Sequence, residues 1–250
     1  MHNASRGFSL VELSIVLVIL GLLTGGILAG QSLIRAAELR AVSTEQQRYT
    51  AAIGTFRDKY FAIPGDMINA TSFGAGTWIG NGDGDGTVET TGTATTNEIS
   101  LFWVHLAAAG LIEGSYTNVS GTAMTAGTNN PRSKLSNSGW NVGGIGAIAT
   151  TPTTDYFEGS YGNAFLFGGG TSATLPLEAL KPEEAWNIDT KADDGKPATG
   201  AIVTLERDAL AAASAAGCSS PVAATTTLAA SIYQLDQTGT NCSLVIKTGY

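Results

Sequence analysis

The sequence predicts an α+β fold in which a long N-terminal helix packs against a C-terminal antiparallel β-sheet. Three observations support this fold class. An uncharged apolar run covers residues 13–30, a helical pattern continues it to about residue 62, and short segments typical of strands appear only after residue 160. Helical and strand patterns that are separated along the chain favour an α+β arrangement.

The first half of the helix is long enough to enter a membrane. No residue from Leu13 to Gly30 is charged, and at about 1.5 Å per residue this run is roughly 27 Å long, enough to cross most of a bilayer core. One carboxylate, Glu12, stands at its start. A charged side chain costs about 2.5–3.5 kcal/mol at the centre of a membrane helix and usually marks a pairing or a function. Glu12 is therefore expected to have a partner, which a plain membrane anchor does not explain.

The second half of the helix is expected to form the spine of a globular head. Four large apolar residues recur with helical spacing: Tyr49, Ile53, Phe56 and Tyr60. Residues at i, i+4, i+7 and i+11 lie on one helix face, so this stripe is predicted to pack against the core of the head. Pro64, in the stretch AIPGD, is expected to end the helix.

A second helix and three strands are predicted within the head. The helix covers about residues 97–109, because Thr95 and Glu98 have the spacing of a capping box and Gly110 suits the C-terminal end. Short apolar segments bounded by glycine and polar residues indicate the strands: NAFLFG at 163–168, GAIVTL at 200–205 and SLVIKTGY at 243–250. We expect these strands to form an antiparallel sheet on the second half of the long helix.

The stretch RGFSLVELSIVLVILGLL, residues 6–23, combines a Gly-Phe junction, an acid placed shortly after it and an apolar helix. In these features it resembles the processing site of type IV prepilins and type II secretion pseudopilins. The resemblance implies that prepilin peptidase cleaves between Gly7 and Phe8 and methylates the new amino group of Phe8. It also implies that Glu12 pairs with the N-terminal amine of a neighbouring subunit inside a filament.

The resemblance also divides the chain into functional segments. It implies a leader peptide at 1–7, a transmembrane and filament-core helix at 8–30, an amphipathic half of that helix at 31–62 and a pilin-like globular head at 63–250. The precursor is then expected in the bacterial inner membrane, and the processed chain in a periplasmic or cell-surface filament. The implied partners are the membrane, further copies or other pilins, prepilin peptidase, and the machinery that assembles pili or type II secretion pseudopili.

Three functions are compatible with these expectations. The first is a structural subunit of a type IV pilus-like filament that polymerises through its N-terminal helix. The second is a type II secretion pseudopilin, which has the same kind of anchor. The third, of another class, is a minor pilin with a calcium-stabilised head that binds a ligand or adheres to a surface. Clustered exposed aromatics, such as Trp78 and Trp140 in glycine-rich segments, would favour the third.

A possible Ca²⁺ site lies in the stretch NGDGDGTVE. Oxygen-bearing side chains occur there at alternate or nearly alternate positions: Asn81, Asp83, Asp85 and Glu89. Such spacing matches the first nine positions of a calcium loop, in which the ligands converge on one hard cation. The glutamate expected at the twelfth position is replaced by Gly92, so the set is incomplete. The alternative interpretation is a solvated Asp-Gly turn.

A second acidic stretch, WNIDTKADDGKPATG at 186–200, contains Asp189, Asp193 and Asp194. These carboxylates are a further possible cation site, like the calcium sites of some pseudopilin heads. Lys191 and Lys196 lie close by in the sequence, so a hairpin loop with local ion pairs is the preferred interpretation.

The two cysteines, Cys218 and Cys242, are expected to form a disulfide if the head lies outside the cytoplasm. The bond would close a loop of about 25 residues and contribute about 3 kcal/mol. Many pilins have a disulfide-closed loop near the C-terminus, which is a correspondence of position only. Two free thiols are the alternative.

Composition and motifs argue against several other function classes. The net charge is −8 and no cluster of Lys or Arg follows Arg48, so nucleic-acid binding is not indicated. His105 is the only histidine after the predicted leader, and it lies in a predicted core helix. The sequence contains neither a phosphate-binding loop nor a nucleophile elbow. We therefore expect no catalytic activity and no required cofactor.

Overall fold

A computed structural model describes the chain over residues 9–74, 78–89, 97–119, 124–148, 157, 159–169, 177–205, 217–220 and 230–250. The long N-terminal helix, α1, spans Leu10–Tyr60 without interruption. At about 1.5 Å per residue it is roughly 76 Å long. It ends at Phe61, whose backbone is left-handed (φ 54°) and whose N–H donates to the carbonyl of Arg57.

The first half of α1 is exposed along its whole length. All large apolar side chains from Leu10 to Ile34 are solvent-exposed. The most apolar part has a mean hydropathy of 2.4, and none of it is buried. Among the described residues, α1 is the one helix long and apolar enough to cross a membrane.

The second half of α1 packs against the head, as its apolar stripe predicts. Tyr49, Ile53 and Phe56 are buried, and Tyr60 packs at the edge of the same core. The ring of Tyr49 meets Trp103 and Trp140 edge-on, with centroids 5.2 Å and 5.6 Å away. Aromatic contacts of this geometry add to the burial energy and fix the helix against the head.

The second helix, α2, spans Glu98–Ala108, which confirms the predicted helix. Its residues from Glu98 to Leu106 are all buried, so α2 forms the centre of the core between α1 and the sheet. Gly110 follows with a positive φ of 71°, as expected at a helix end. Thr95, the predicted capping residue, lies outside the described residues.

The sheet has four antiparallel strands: β1 Gly139–Ile148, β2 Gly159–Gly168, β3 Ile202–Thr204 and β4 Leu244–Lys247. Their order is β1-β2-β4-β3, and the pairing aligns Phe165 of β2 with Val142 and Ile246 on either side. Strands β2, β3 and β4 confirm the three predicted segments. Strand β1 was not predicted, because four of its ten residues are glycine, which has low strand propensity.

A third helix, α3, spans Pro182–Ala192, and it corrects the expectation of a hairpin loop at 186–200. Pro182 opens the helix with its ring-fixed φ, and acids occupy the first turn. Ala185, Ile188 and Asp189 form its buried face at i, i+3 and i+4. Only the second half of the predicted loop, after Ala192, is non-helical.

The two tryptophans that would favour an adhesive head if they clustered on its surface are buried. Trp78 is 7% exposed and Trp140 is fully buried. Trp78 lies against Phe56 and Tyr60 at the end of α1, with ring centroids 6.0 Å and 5.2 Å away. Both side chains fill the core, since large aromatic surfaces are expensive to leave in water. They therefore give no support to an adhesive surface.

Cys218 and Cys242 form a disulfide across a sequence separation of 24, which confirms the predicted bond. The backbone of Cys242 also pairs with Leu180, just before α3, through hydrogen bonds of 2.9 Å and 3.0 Å. Cys242 thus connects three parts of the head: Cys218 through the disulfide, the segment just before α3 through its main chain, and β4, which begins two residues later.

Candidate functional site

Glu12 lies in the first turn of α1, and Gly7 and Phe8 lie outside the described residues. The Ser9 N–H donates to Glu12 Oε2 at 2.9 Å, and Ser9 Oγ accepts from the Val11 N–H at 3.3 Å. Ser9 and Glu12 thus form a capping box at the start of the helix. This Ser-x-x-Glu spacing is visible in the sequence but was not predicted to form a cap.

The position of Glu12 favours a negative charge, and the described residues use only part of its hydrogen-bonding capacity. The helix N-terminus has unpaired N–H groups and a partial positive charge, which stabilise a carboxylate. A carboxylate has about four lone-pair positions, and the Ser9 N–H occupies one of them. Within residues 9–74 and the other described parts of the chain, no further donor to this carboxylate is seen, so it can accept from a neighbouring subunit.

The head is attached to α1 by polar contacts as well as by its core. The buried carboxylate of Glu45 accepts hydrogen bonds from Trp140 Nε1 at 2.7 Å, Ser133 Oγ at 2.7 Å and the Lys134 N–H at 3.0 Å. These three donors lie in or just before β1. The carboxylate therefore joins the middle of α1 to the first strand of the sheet, and nothing in the sequence pattern revealed this role.

The predicted calcium ligands are brought together only in part. Oxygens of Asp83 and Asp85 lie within 4.8 Å of each other and of a carboxylate oxygen of Asp66. Asn81 Oδ1 instead accepts from the Thr71 N–H at 3.0 Å, and Glu89 is not a member of the group. Asp66 is 6% exposed and was missed, because it lies 17 residues before Asp83 in the sequence.

The acidic loop also folds around two carboxylates from outside it. Asp66 accepts from the N–H groups of Gly84 and Gly86 at 2.6 Å and 3.0 Å. Glu98, at the start of α2, accepts from the N–H groups of Asp83 and Glu89 at 2.9 Å and 3.3 Å. Burial raises the pKa of Glu98 to about 7, despite these hydrogen bonds, and it also raises the pKa of Asp66.

The second predicted acidic group is assembled around the end of α3. Oxygens of Asp189, Asp193 and Asp194 lie within 4.8 Å of one another. Asp189 is fully buried and accepts from Tyr233 Oη at 2.8 Å and from the Gly195 N–H at 3.2 Å. Burial raises the pKa of Asp189 to about 6 and also raises that of Tyr233. The Tyr233 contact connects α3 to the loop that the Cys218–Cys242 disulfide closes.

His105 occupies a structural position in the core. Its Nδ1 accepts from the Gly65 N–H at 2.9 Å, so its Nε2 carries the proton and donates to the Gly80 carbonyl at 3.2 Å. Burial lowers the pKa of His105 to about 4, and the ring stacks on Phe56. A fully buried, neutral imidazole that is bonded to two main-chain groups links α2 to the loop after α1.

Comparison with known proteins identifies the N-terminal segment. Residues 2–28 match the family described as the prokaryotic N-terminal methylation motif, the prepilin-type cleavage signal of type IV pilins and pseudopilins. The motif supports a type IV pilin-like or pseudopilin subunit, a structural class of protein with a membrane-anchored precursor. No curated protein and no solved structure shows significant similarity to the chain.

Proposed function

We propose that the chain is a structural subunit of a type IV pilus-like filament, processed by prepilin peptidase between Gly7 and Phe8. The observation that carries this proposal is the methylation motif at 2–28 continuing into a helix whose apolar side chains are all exposed up to Ile34. Such a surface needs a non-aqueous cover. The bilayer provides that cover for the precursor, and the helices of neighbouring subunits provide it in the filament.

Glu12 is proposed to pair with the methylated amine of Phe8 in a neighbouring subunit. Opposite charges about 4 Å apart attract by about 4 kcal/mol at an effective dielectric constant near 20, which is similar to the cost of placing the charge in an apolar medium. The two energies nearly cancel. Glu12 therefore determines the register between subunits more than the stability of the filament.

Replacement of Glu12 in the full chain tests this proposal. Glu12→Gln and Glu12→Ala variants, expressed with their assembly machinery, are expected to be processed normally but to yield up to about tenfold fewer filaments, because the net attraction left after the cost of burial, about 0.5–1.5 kcal/mol per contact, is lost together with the register that it sets. Electron microscopy of sheared surface material gives the yield. Glu113→Gln is the matched control, because that side chain is 95% exposed on the head. Unchanged filament yield for both Glu12 variants would contradict the proposal.

The location of the filaments and a secretion assay separate the pilus subunit from a type II secretion pseudopilin. Filaments that carry the chain along their length outside the cell support a pilus subunit. Loss of protein secretion on deletion of the chain, without surface filaments, supports the pseudopilin.

We also propose a calcium-stabilised head as a second candidate function. It is favoured by the three carboxylates of Asp66, Asp83 and Asp85, whose oxygens approach within 4.8 Å, together with the buried carboxyl group of Glu98, which accepts from the Asp83 N–H. Oxygen ligands of this kind suit a hard divalent cation such as Ca²⁺. A cation there would offset the mutual repulsion of these groups.

Thermal unfolding of the full chain in detergent tests calcium binding. Ca²⁺ at millimolar concentration is expected to raise the Tm relative to a chelator, and Asp83→Asn is expected to abolish the rise. Asp236→Asn, at an exposed site, is the matched control and should retain it. Equal Tm values with Ca²⁺ and with chelator would reject the site, and an equal response to Mg²⁺ would reject selectivity for Ca²⁺.

A further inference from the structure

The exposed large apolar residues of the head, as far as the structure describes it, form two groups. One group belongs to the end of α1 and the loop after it: Phe61, Ile68, Phe73 and Ile79. The other belongs to α3, the segment before it and the disulfide-closed loop: Leu177, Trp186, Ile232 and Leu235. We call this second group the α3 apolar surface.

The α3 apolar surface contains the most exposed tryptophan of the chain. Trp186 is 37% exposed, whereas the other three tryptophans are at most 7% exposed. Tryptophan is enriched at membrane–water interfaces, because its ring is apolar while its indole N–H can bond to headgroups or water. The distance between Trp186 and the anchor helix therefore decides whether this residue can reach a bilayer.

Two contacts of Arg35 hold this surface close to the anchor. Arg35 Nε and Nη2 donate to the carboxylate of Glu184 at 2.6 Å, and Nη2 also donates to the Ala179 carbonyl at 3.5 Å. Trp186 lies two residues after Glu184, which is about 3 Å along α3. Leu177 lies two residues before Ala179. Both exposed residues are therefore next to the contacts that α1 makes at Arg35.

The disulfide-closed loop adds to the same surface. Tyr233 Oη donates to Asp189 of α3 at 2.8 Å. Asp189 lies three residues after Trp186, so the loop contacts α3 within one helical turn of the tryptophan. Ile232 and Leu235, on either side of Tyr233 in the sequence, are 65% and 50% exposed. Exposed apolar residues thus occur both on α3 and on the loop beside it.

The length of the anchor places Arg35 in the headgroup layer of a bilayer. About 20 helical residues cross a hydrocarbon core of about 30 Å, and each headgroup layer adds about 5–7 Å. Counted from Leu13, the first residue after Glu12, the core ends at about residue 32. Arg35 is then about 4–5 Å beyond the core, and a tilt of the helix brings it closer.

The charges at this level do not favour binding to anionic lipid. They are two cations, Arg35 and Lys181, and four acids, Glu38, Glu178, Glu183 and Glu184. Acids outnumber cations, so an anionic membrane surface would repel this part of the head. Any attraction to a bilayer must therefore come from the apolar side chains, for which a zwitterionic headgroup layer is sufficient.

We infer that the α3 apolar surface of the membrane-bound precursor lies in the headgroup layer of the bilayer that holds α1. This inference rests on the membrane anchoring in the proposed function and adds a second contact between the chain and the membrane. It removes apolar side chains of the head from water and holds the head against the bilayer. The other exposed group stays in water, since Tyr60 lies 25 residues beyond Arg35, about 37 Å along the helix.

Quenching of tryptophan fluorescence tests this contact, because Trp186 is the one tryptophan with a large exposed surface. The full chain is inserted into phosphatidylcholine vesicles that contain phosphatidylcholine brominated near the headgroup end of its acyl chains. Vesicle flotation and resistance to alkaline extraction verify the insertion. The brominated lipid is expected to quench part of the emission. Replacement of some phosphatidylcholine by phosphatidylglycerol should not increase this quenching.

Two variants serve as controls. Trp186→Phe retains an apolar ring and should lose the part of the emission that brominated lipid quenches. The Trp186→Phe/Phe73→Trp double variant places the exposed tryptophan in the other group, because Phe73 is 50% exposed and its ring centroid lies 5.2 Å from that of Tyr60. Its emission should be quenched by aqueous acrylamide and not by brominated lipid. Tm values close to that of the wild type show that both variants fold.

The outcomes distinguish this inference from the proposed function. Insertion without quenching by brominated lipid, or quenching that persists in Trp186→Phe, would overturn the contact and leave the filament function intact. Protection of Trp186 from both acrylamide and brominated lipid would also overturn it, since a second copy of the chain would then be the cover. Failure of the chain to insert into vesicles would overturn both the contact and the membrane anchor of the proposed function.

Discussion

Arg35 and Glu184 form a two-point ion pair, with Nε to Oε1 and Nη2 to Oε2 both at 2.6 Å. Arg35 lies five residues beyond Gly30, and Glu184 lies in the first turn of α3. The pair therefore attaches α3 to α1 just where the helix leaves the apolar segment. A paired guanidinium and carboxylate hold both distance and orientation, so the pair fixes the start of α3 against α1 at this point.

Glu184→Gln is expected to lower the free energy of unfolding of the head by about 1–2 kcal/mol, since two charge-assisted hydrogen bonds are weakened. Tryptophan fluorescence during urea unfolding of the full chain in detergent measures this loss. Glu183→Gln, in the same turn but exposed, should change it by less than about 0.5 kcal/mol. Equal effects of the two variants would show that the pair is not stabilising.

The pair also has a predicted pH dependence. Burial alone would raise the pKa of Glu184, but the hydrogen bonds from Arg35 and the Lys181 N–H, with the charges of both residues, hold it below its ordinary value of 4.5. Because the pKa of Glu184 is lower in the folded state, its carboxylate contributes to the free energy of unfolding above about pH 4.5. This contribution is lost as the pH falls through the folded-state pKa. The difference between the wild type and Glu184→Gln should therefore shrink in acid.

Glu45→Ala is expected to destabilise the head more strongly, by about 3–5 kcal/mol. It removes the acceptor of three hydrogen bonds from Trp140, Ser133 and Lys134 and leaves buried donors unpaired. Glu45→Gln should cost less, because its amide oxygen still accepts. Gln47→Ala, exposed on the same helix, is the control. Urea unfolding measures all three, and a loss below about 1 kcal/mol for Glu45→Ala would contradict the role of this carboxylate.

Removal of the disulfide with Cys218→Ser/Cys242→Ser is expected to cost about 3 kcal/mol, since the bond closes a loop across 24 residues. Reductant should lower the Tm of the wild type to that of the double variant and leave the Tm of the double variant unchanged. A wild-type Tm that does not respond to full reduction, verified by thiol labelling, would contradict this prediction.

His105 is expected to make the head sensitive to acid. Burial lowers its pKa from 6.5 to about 4. The neutral imidazole therefore contributes fully to the free energy of unfolding above about pH 6.5. As the pH falls towards 4, the free energy of unfolding decreases by roughly 3 kcal/mol. Glu98 acts in the opposite sense, because its pKa is raised to about 7 and the folded state gains stability as the pH falls from 7 towards 4.5.

The effect of His105 is therefore measured as a difference. The free energy of unfolding of the wild type minus that of His105→Gln should decrease from pH 7 to pH 4, while Glu98 contributes equally to both proteins. A difference that does not vary with pH over this range would show that the buried imidazole does not titrate as expected.

The sequence by itself determined the anchor, the spine and most of the sheet. An uninterrupted apolar run, a stripe at Tyr49, Ile53 and Phe56, and strand-like segments are local patterns, because each depends on the period of a single element. The methylation motif is likewise a local signal, whereas the disulfide was predicted because the chain has only two cysteines. The local signals specified the fold class and the class of protein without knowledge of any contact between elements.

Only the tertiary structure decided which distant residues meet. Asp66 joins Asp83, Glu45 meets Trp140, and Arg35 meets Glu184, although these partners are 17 to 149 residues apart. The burial of Trp78 and the helix at 182–192 were likewise missed, since packing against other elements stabilises them more than local propensity does. Long-range contacts leave no periodic trace in the chain, and for that reason these pairings became visible only in the folded head.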